Sequence, residues 1–194
     1  MYKPTKAYVS SALILFMLVS NNAKSEEPVI DSLVLNRFTI DGPELQWYVQ
    51  NDNVMGGRSE GGFKIFDSEL VFSGTTNTNG GGFSSIRTQR FSKDLSQYTG
   101  IRVKVRADGR KYTWSIQTDA RWQGRQISYW ADFKTIPDEI SEIDIPFSKF
   151  APQFRGFNLD GPKLDPSKIT EFALYQYDKT DGPFKLRLIS VEAY

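Results

Sequence analysis

Hydrophobic and polar residues alternate along much of this 194-residue chain, most clearly from Ile101 to Ala107. The apolar residues of this run would point to one face of an extended strand, and the basic residues between them to the other. The run from Lys111 to Thr118 alternates in the same way. Asp108 and Gly109 lie between the two runs, and glycine tolerates the positive φ of a tight turn. We therefore predict that the two strands form a β-hairpin.

Weaker alternation predicts more strands, and no long run has a helical period. These strands are Leu33 to Ile40, Gly62 to Phe66, Glu69 to Gly74, Gly82 to Thr88, Ile127 to Phe133, Glu142 to Ile145, Phe172 to Tyr177 and Phe184 to Val191. In the last one the alternation changes parity, which predicts a β-bulge near Leu188 or Ile189. Short helical turns are expected at Phe147 to Phe150 and Pro166 to Ile169. The pattern is typical of an all-β jelly-roll sandwich.

The composition narrows the chemistry that such a sandwich can perform. The chain has no histidine and no cysteine, which excludes disulfides, thiolate metal ligands, a Ser-His-Asp triad and zinc sites of the usual kind. Paired carboxylates are the remaining catalytic arrangement, with Asp52, Asp108, Asp119 and Asp132 as candidates. Nothing in the sequence fixes their separation. We expect a protein that is not an enzyme and has no cofactor, with a structural Ca²⁺ as an open alternative.

The N-terminus has the pattern of a secretory signal peptide. Lys3 and Lys6 precede an apolar run from Val9 to Val19, and Ala23-Lys24-Ser25 fits the small-x-small cleavage rule. A membrane anchor is the alternative, but this run is too short to span a bilayer comfortably. We predict a signal peptide at residues 1–25 and a single β-sandwich domain at residues 26–194. The expected location is periplasmic or secreted, without a stable membrane span after cleavage.

The charge of the chain argues against a nucleic acid as its partner. The chain carries 24 basic and 23 acidic residues, and loss of the three lysines of the signal peptide leaves a net charge of −2. Nucleic-acid binding requires a basic face. We therefore expect a glycan or a protein, and no nucleic acid, as the partner.

Two loops concentrate Gly, Asn and Asp, residues that tolerate turn conformations. The first runs from Trp47 to Ser59, and its candidate ligand contacts are Trp47, Asn51, Asp52, Asn53, Met55, Gly56, Gly57 and Ser59. It presents Asn51 and Asp52 to a polar ligand or Ca²⁺, or else is a self-bonded loop that closes one end of the sandwich. The second runs from Gly74 to Phe83 and lacks the Lys-Ser/Thr of a phosphate-binding loop. It adds Gly81 and Gly82, and the strand that follows adds Arg87.

Aromatic residues in the second half of the chain are candidates for a face that stacks on sugar rings. They are Trp122, Tyr129, Trp130, Tyr175 and Tyr177, with Gln117, Arg121, Arg125, Asp132 and Gln176 as hydrogen-bonding partners for hydroxyl groups. Of these we assign Gln117, Trp122, Tyr129 and Gln176 as ligand contacts. The alternative is that half of the rings belong to the core, since Tyr129 and Phe133 share a strand face.

A set of motifs recurs in fixed order along the chain. It comprises Asp52-Asn53-Val54-Met55-Gly56-Gly57-x-Ser59, Phe72-x-Gly74, Gly81-Gly82-Phe83-x-Ser85-x-Arg87, Asp94-Leu95-Ser96-x-Tyr98-x-Gly100, Asp108-Gly109-Arg110-x-Tyr112, Ile145-Pro146-Phe147-x-x-Phe150-x-Pro152, Arg155-Gly156 and Asp181-Gly182-Pro183-Phe184. In these blocks the chain resembles the family of the complex I intermediate-associated protein of 30 kDa, over roughly residues 36 to 193.

That resemblance implies a galactose-binding-like jelly roll without established catalytic residues. It also implies a role in the assembly of a respiratory membrane complex, which eukaryotic members carry out on the matrix side of the mitochondrial membrane. An exported protein would not meet the same intermediates. We therefore expect a non-catalytic exported binding domain for a glycan or a protein, with assembly of a complex I-like membrane complex as the alternative.

Overall fold

The computed structural model describes Met1 and residues 31–39, 41 and 44–194, which form two antiparallel β-sheets. The strands are β1 (Leu33–Arg37), β2 (Trp47–Asn51), β3 (Glu60–Phe66), β4 (Glu69–Thr76), β5 (Ser84–Thr88), β6 (Gly100–Ala107), β7 (Lys111–Trp122), β8 (Arg125–Lys134), β9 (Ile140–Pro146), β10 (Ala151–Phe154), β11 (Phe157–Asn158), β12 (Glu171–Gln176) and β13 (Gly182–Ala193). Three short 3₁₀ turns lie at Asp52–Met55, Phe147–Lys149 and Pro166–Lys168. The all-β prediction is confirmed.

The first sheet, sheet I, has the strand order β3-β4-β13-β6-β9, and β1 also pairs with β13. The long strand β13 pairs with β4 along its first half and with β1 along its second half. Its register against β6 shifts between Leu188 and Ser190. The predicted bulge near Leu188 or Ile189 is therefore confirmed, and it allows one strand to serve two partners on the same edge.

The second sheet, sheet II, has the order β11-β10-β8-β7-β12-β5-β2. Its inner face packs on sheet I through large apolar side chains such as Trp114 and Phe172, whose ring centroids are 5.7 Å apart. Phe72 and Leu186 face them from sheet I, and all four are fully buried. The loops and the outer face of each sheet do not take part in this packing, so they can carry polar residues.

The predicted hairpin between Ile101–Ala107 and Lys111–Thr118 is wrong. The first run is β6 of sheet I, the second is β7 of sheet II, and they do not pair with each other. Alternation shows that each strand has one buried face, but it does not reveal whether the two faces lie side by side or opposite each other across a core. Gly109 does adopt the positive φ expected of it, at +87°, in a connection between sheets.

Side chains of this connection hold the two sheets together. Asp108 Oδ2 accepts a hydrogen bond from the Lys185 backbone N–H at 2.7 Å, and Oδ1 accepts one from the Arg110 N–H at 3.0 Å. The Arg110 guanidinium forms a bidentate pair with Asp178, at 2.9 and 2.6 Å. Asp108 therefore has a structural role at this crossing.

Several boundaries differ from the predictions. The segment Trp47–Asn51, predicted as part of a loop, is the edge strand β2, and the short strands β10 and β11 were not predicted. β2 shows no alternation because Trp47, Tyr48 and Val49 follow one another and none of its residues is fully buried, as is common for an edge strand. The turns predicted at Phe147 to Phe150 and Pro166 to Ile169 are confirmed as 3₁₀ turns.

The predicted signal peptide lies outside the described residues, which include none of positions 2–30. In the part of the chain that the structure does describe, no helix has the length and apolar character needed to cross a membrane.

Candidate functional site

Asp52 is the centre of a network of hydrogen bonds that we call the Asp52 clamp, formed with Ser59, Gly82 and Phe83. One carboxylate oxygen, Oδ1, accepts the Ser59 backbone N–H at 2.9 Å. The other, Oδ2, accepts the Ser59 hydroxyl at 2.6 Å and the N–H groups of Gly82 and Phe83 at 2.6 and 3.2 Å. Asp52 is fully buried. The clamp therefore joins the two Gly-rich loops to each other at one end of the sandwich.

Two glycines leave the space that this carboxylate occupies. A Cβ on Gly57 would lie 2.2 Å from Asp52 Cγ, and a Cβ on Gly81 would lie 2.5 Å from Asp52 Oδ2. Both distances are well inside van der Waals contact, so neither position has room for a side chain. The glycines of the motif are thus explained by the approach of their backbone to the carboxylate.

The clamp favours the ionised form of its acid. Burial alone would raise the pKa of Asp52, but the hydrogen bonds from Ser59, Gly82 and Phe83 outweigh it and hold the pKa below its usual range. Protein donors occupy the carboxylate, which leaves it unsuited to present itself to a ligand or a Ca²⁺ ion. Among the described residues, no three acidic side chains lie close enough together to bind a metal ion.

Other predicted contacts of the first loop also serve the fold. Asn51 donates to the Gly61 carbonyl at 3.0 Å and accepts the Ser84 hydroxyl at 2.6 Å, so it links β2, β3 and β5. Trp47 Nε1 donates to Asn36 Oδ1 at 2.9 Å. Gly56 ends the 3₁₀ turn at a φ of +84°, with its N–H on the carbonyl of exposed Asn53. This geometry favours the self-bonded alternative for the loop.

The outer face of sheet II presents a second group of polar and aromatic residues. Strand register places Gln50, Ser85, Tyr175, Thr113 and Asp132 in one row across five strands. The next row contains Tyr48, Arg87, Ala173, Ser115 and Trp130. These residues alternate with core residues on the same strands and therefore point away from sheet I.

Four rings from this face and its loops form an aromatic cavity of about 490 Å³. Trp130 lies against Tyr175 with ring centroids 4.8 Å apart, and against Tyr177 at 5.7 Å with perpendicular planes. Phe83 lies 5.8 Å from Tyr175. The mouth of the cavity is lined by Val54 and Met55, which are 64% and 59% exposed.

Arg87 is held in place at the floor of this cavity. Its Nη2 donates to the Tyr175 hydroxyl at 2.5 Å, and its guanidinium carbon lies 5.2 Å from the centre of the same ring. Burial raises the pKa of Tyr175 to about 12, so the group that accepts this bond is the neutral hydroxyl. Arg87, which was predicted as a ligand contact, thus lies in the cavity with a fixed orientation.

A shallower cavity of about 370 Å³ adjoins the first and shares Trp130, Tyr177 and Gly156 with it. Its other polar lining residues are Lys111, Asp132, Lys149, Gln153, Asn158 and Lys179. Gln153 is 8% exposed, and its Oε1 has no hydrogen-bond partner among the described residues. We call the two cavities together the groove.

Glu171 lies on the same outer face, opposite Gln117 in the strand register. It is only 8% exposed. Burial raises the pKa of its carboxyl above the usual range, although the charges of Arg87 and Arg90 act in the opposite direction. Acids whose pKa is shifted by burial are more frequent at functional sites than elsewhere on proteins.

Two of the predicted contacts lie on the wrong side of sheet II for the groove. Tyr129 and Gln176 are both fully buried and alternate with groove residues, so the structure corrects their assignment as ligand contacts. Trp122 is half-buried at the end of β7 and packs against the core. Gln117 is on the outer face, where its Oε1 accepts Gln126 Nε2 at 3.1 Å.

The groove also contains residues that the sequence analysis did not name as ligand contacts, although Gln50 and Phe83 lie within the two loops that it singled out. Phe83, Gln50 and Arg155 line the aromatic cavity. Arg155 and Gly156 both have positive φ, at +50° and +83°, in the tight turn between β10 and β11. The Arg-Gly pair is a turn signal that could have pointed to Arg155, whereas Phe83 and Gln50 come together with it only through the sheet.

The fold defined by these two sheets is that of carbohydrate-binding modules. The family 11 module from Clostridium thermocellum, solved in complex with a β-1,3-1,4-mixed-linked tetrasaccharide, superposes with a TM-score of 0.60 at 17% identity, over 84% of this chain and 94% of that one. The family 30 module of a cellulosomal cellulase of the same organism gives a TM-score of 0.56 at 12% identity, over 85% and 98%. At these identities the likeness concerns the fold.

The chain belongs to the complex I intermediate-associated protein 30 family, whose model matches residues 37–188. An uncharacterized protein of Schizosaccharomyces pombe is 30% identical over 178 residues, which cover 78% of this chain and 81% of the relative. The mitochondrial complex I intermediate-associated protein 30 of Mus musculus is 29% identical over 74% of this chain. The match covers only 50% of the mouse protein.

Proposed function

We propose that this protein is a non-catalytic binding domain that recognises a glycan in the groove of sheet II. The observation that carries the proposal is the cavity of about 490 Å³ that Phe83, Trp130, Tyr175 and Tyr177 line on an open sheet face. A concave site with an apolar lining and a few fixed polar groups is the usual form of a ligand site.

The chemistry of the lining suits a sugar. Pyranose rings combine an apolar face with hydroxyl groups at the rim, so they need aromatic surfaces next to hydrogen-bonding side chains. Trp130 and Tyr177 are partly exposed and meet at right angles, which offers two such surfaces. Gln50, Arg87 and Gln153 lie beside them with donors and acceptors for hydroxyl groups.

The proposal that the domain is not an enzyme rests on the placement of its acids. Asp52 accepts the Ser59 N–H in the clamp, and Asp108 accepts the Lys185 N–H where the chain crosses between the sheets. Asp132 accepts Lys111 at 2.7 Å and Thr113 at 2.6 Å. Asp119, which is exposed, lies 3.6 Å from Lys168. None of the four predicted carboxylates is therefore poised as one of a catalytic pair.

The test is a glycan array probed with the full-length protein, followed by calorimetric titration of each glycan that binds. Trp130→Ala should weaken binding by about tenfold or more, because truncation of a central Trp is among the costliest changes at a binding site. Phe66→Ala is the matched control, since Phe66 is 71% exposed and lies on sheet I. Circular dichroism checks that both variants fold, and Tyr177→Ala replaces Trp130→Ala if that variant does not.

Two results would overturn glycan binding in the groove. One is silence across the array for the folded wild-type protein. The other is binding that Trp130→Ala and Tyr177→Ala leave unchanged.

A second candidate function is the assembly of a membrane complex, which the family and the printed name of the mouse relative favour. The exposed apolar pair Val54 and Met55 lies in the family's motif and would suit a protein partner. A pull-down from solubilised membranes tests it, and recovery of respiratory-complex subunits that a Val54→Ser, Met55→Ser double variant loses would support it. Localisation of the protein is a prior check, since export would separate it from intermediates of the kind that the mitochondrial relatives assist.

A further inference from the structure

We infer that the ligand of the groove is an anionic glycan, one that carries carboxylate or sulfate groups along a sugar chain. This inference rests on the proposed function, because it names the chemical class of a glycan bound at the same site. It starts from an imbalance of charge. The two cavities are lined by Arg87, Arg155, Lys111, Lys149 and Lys179, but by a single acid, Asp132. The whole chain, by contrast, has a net charge of only +1.

Most of these positive charges are not neutralised by the protein. Among the described residues, Lys111 is the one groove cation with an ion pair, to Asp132 at 2.7 Å. Arg87, Arg155, Lys149 and Lys179 have no carboxylate within 4.0 Å among the described residues. Elsewhere on the molecule some basic residues are ion-paired, as Arg102 is with Asp144, and others, such as Arg121 and Lys185, have no carboxylate within 4.0 Å among the described residues. The groove is distinguished by bringing four such unpaired cations together around two adjoining cavities that one acid lines.

The acids near the groove do not cancel this charge. Asp132 is occupied by Lys111 and by the Thr113 hydroxyl. Glu171 lines neither cavity, and its carboxyl interacts with the charges of Arg87 and Arg90, so of the groove cations it offsets part of the charge of Arg87. An incoming carboxylate or sulfate would thus meet free cations and few fixed anions.

The cations are also oriented. Arg87 is fixed by the Tyr175 hydroxyl, and the guanidinium carbon of Arg155 lies 5.4 Å from the centre of the Phe154 ring. Lys179 Nζ lies 3.7 Å from the centre of the Tyr177 ring and donates to its hydroxyl. A guanidinium binds two oxygens of a carboxylate or sulfate at once. Because a guanidinium that is already held in place loses less conformational entropy on binding, its binding is favoured.

Cations and rings alternate across the groove. The aromatic cavity holds two arginines, the shared wall holds Trp130 and Tyr177, and the adjoining cavity holds three lysines. This order suits a chain in which each sugar ring brings its own acidic group, since successive rings would place negative charge on both sides of the shared wall.

The experiment compares ligands that differ in charge but share a backbone. Full-length protein is titrated by calorimetry with an oligogalacturonate and with the same oligomer after complete methyl esterification, at low and at high salt. A κ-carrageenan oligosaccharide and its desulfated counterpart form a second arm, which distinguishes sulfate from carboxylate. Arg155→Gln and Lys179→Gln test the groove, and Lys64→Gln, an exposed lysine on β3, is the control.

We expect one of the acidic oligomers to bind about tenfold or more tightly than its neutral counterpart, and salt to weaken it, because screening reduces exposed charge pairs. Arg155→Gln and Lys179→Gln should each reduce that affinity about threefold to tenfold, as expected for lost charged hydrogen bonds at a partly exposed site. These two variants should bind the neutral oligomers as tightly as the wild type does. Lys64→Gln should bind every oligomer as the wild type does.

Equal binding of acidic and neutral oligomers, with loss in Trp130→Ala, would overturn the anionic preference and leave glycan binding in the groove intact. Absence of binding to these oligomers and to every glycan of the array would overturn both proposals. Preference for an acidic oligomer that only Lys64→Gln abolishes would place the site elsewhere and overturn the inference.

Discussion

The Asp52 clamp and the groove are both rich in polar residues, but they use them in opposite ways. In the clamp, the Asp52 carboxylate accepts its hydrogen bonds from the protein itself, and glycine at positions 57 and 81 leaves space for the carboxylate. In the groove, four cations have no carboxylate partner among the described residues, and rings remain partly exposed. The clamp stabilises the loops at the end of the sandwich, whereas the groove keeps hydrogen-bonding capacity for a ligand.

The comparison shows that a dense motif is not by itself a ligand site. Asp52, Gly57, Ser59, Gly81 and Gly82 form the most distinctive pattern in the sequence, yet they interact with each other. A buried carboxylate needs several donors to offset its loss of water, and those donors impose strict geometry on the chain. Such a pattern therefore indicates structural constraint as readily as it indicates function.

The sharpest test of the clamp is Asp52→Ala. It would leave three backbone N–H groups and the Ser59 hydroxyl without their acceptor in a buried place, so we expect the free energy of unfolding to fall by about 3–5 kcal/mol. Urea denaturation followed by fluorescence measures it. Asp119→Ala is the control, because Asp119 is exposed and should change stability little. A loss below about 1 kcal/mol, which is the usual contribution of an exposed ion pair, would show that the clamp is not a major stabilising element.

A smaller effect is expected from Gly81→Ala. The new Cβ would lie 2.5 Å from Asp52 Oδ2, so the loop must shift, and overpacking of this kind costs about 1–3 kcal/mol. Gly62→Ala is the matched control, since a Cβ there meets nothing within 4 Å. Thermal unfolding should separate the two variants. Equal midpoints would mean that the clamp has more room than its geometry implies.

The smallest effect is expected beside the groove, on the outer face of sheet II, where Glu171→Gln should raise stability by less than about 1 kcal/mol at pH 7. Burial raises the pKa of Glu171, so the folded state carries an ionised carboxyl at a cost that the unfolded chain avoids. The gain should disappear once the pH falls below the ordinary Glu pKa of about 4.3, where the acid is protonated in both states.

Urea denaturation at several pH values follows this gain, with Glu139→Gln as the exposed control. A Glu171→Gln variant that is less stable than the wild type at pH 7 would show that Glu171 stabilises the fold as Asp52 does, and the contrast between the clamp and the outer face beside the groove would weaken.

The sequence was informative about strands whose two faces differ. Ile101 to Ala107 and Phe184 to Val191 were recognised from alternation, and the parity change in the second run located a bulge that the structure contains. The strands β2, β10 and β11 were not predicted, because short strands at or near a sheet edge bury too few apolar residues to show a clear alternation. The pairing of β6 and β7 was predicted wrongly since a turn between two strands is compatible with a hairpin and with a crossing.

The candidate site was predictable only in its parts. Trp130, Tyr175, Tyr177 and Arg87 were recognised as residues of suitable chemistry. The burial of Tyr129 and Gln176 was not, because a one-residue step along a strand moves a side chain from the groove to the core. The lysines at positions 111, 149 and 179 are far apart in the sequence and give no signal until the sheet brings them together.

The sequence by itself determined the strand-forming pattern, the absence of His and Cys chemistry and the family motifs, because each of these is written in local residue type and spacing. Only the tertiary structure decided which strands pair, that Asp52 faces inward, and that cations and rings meet on one open face. The physical reason is that burial and charge proximity depend on contacts between residues distant in the chain. The same Asp can therefore be a ligand or a clamp until the donors around it are known.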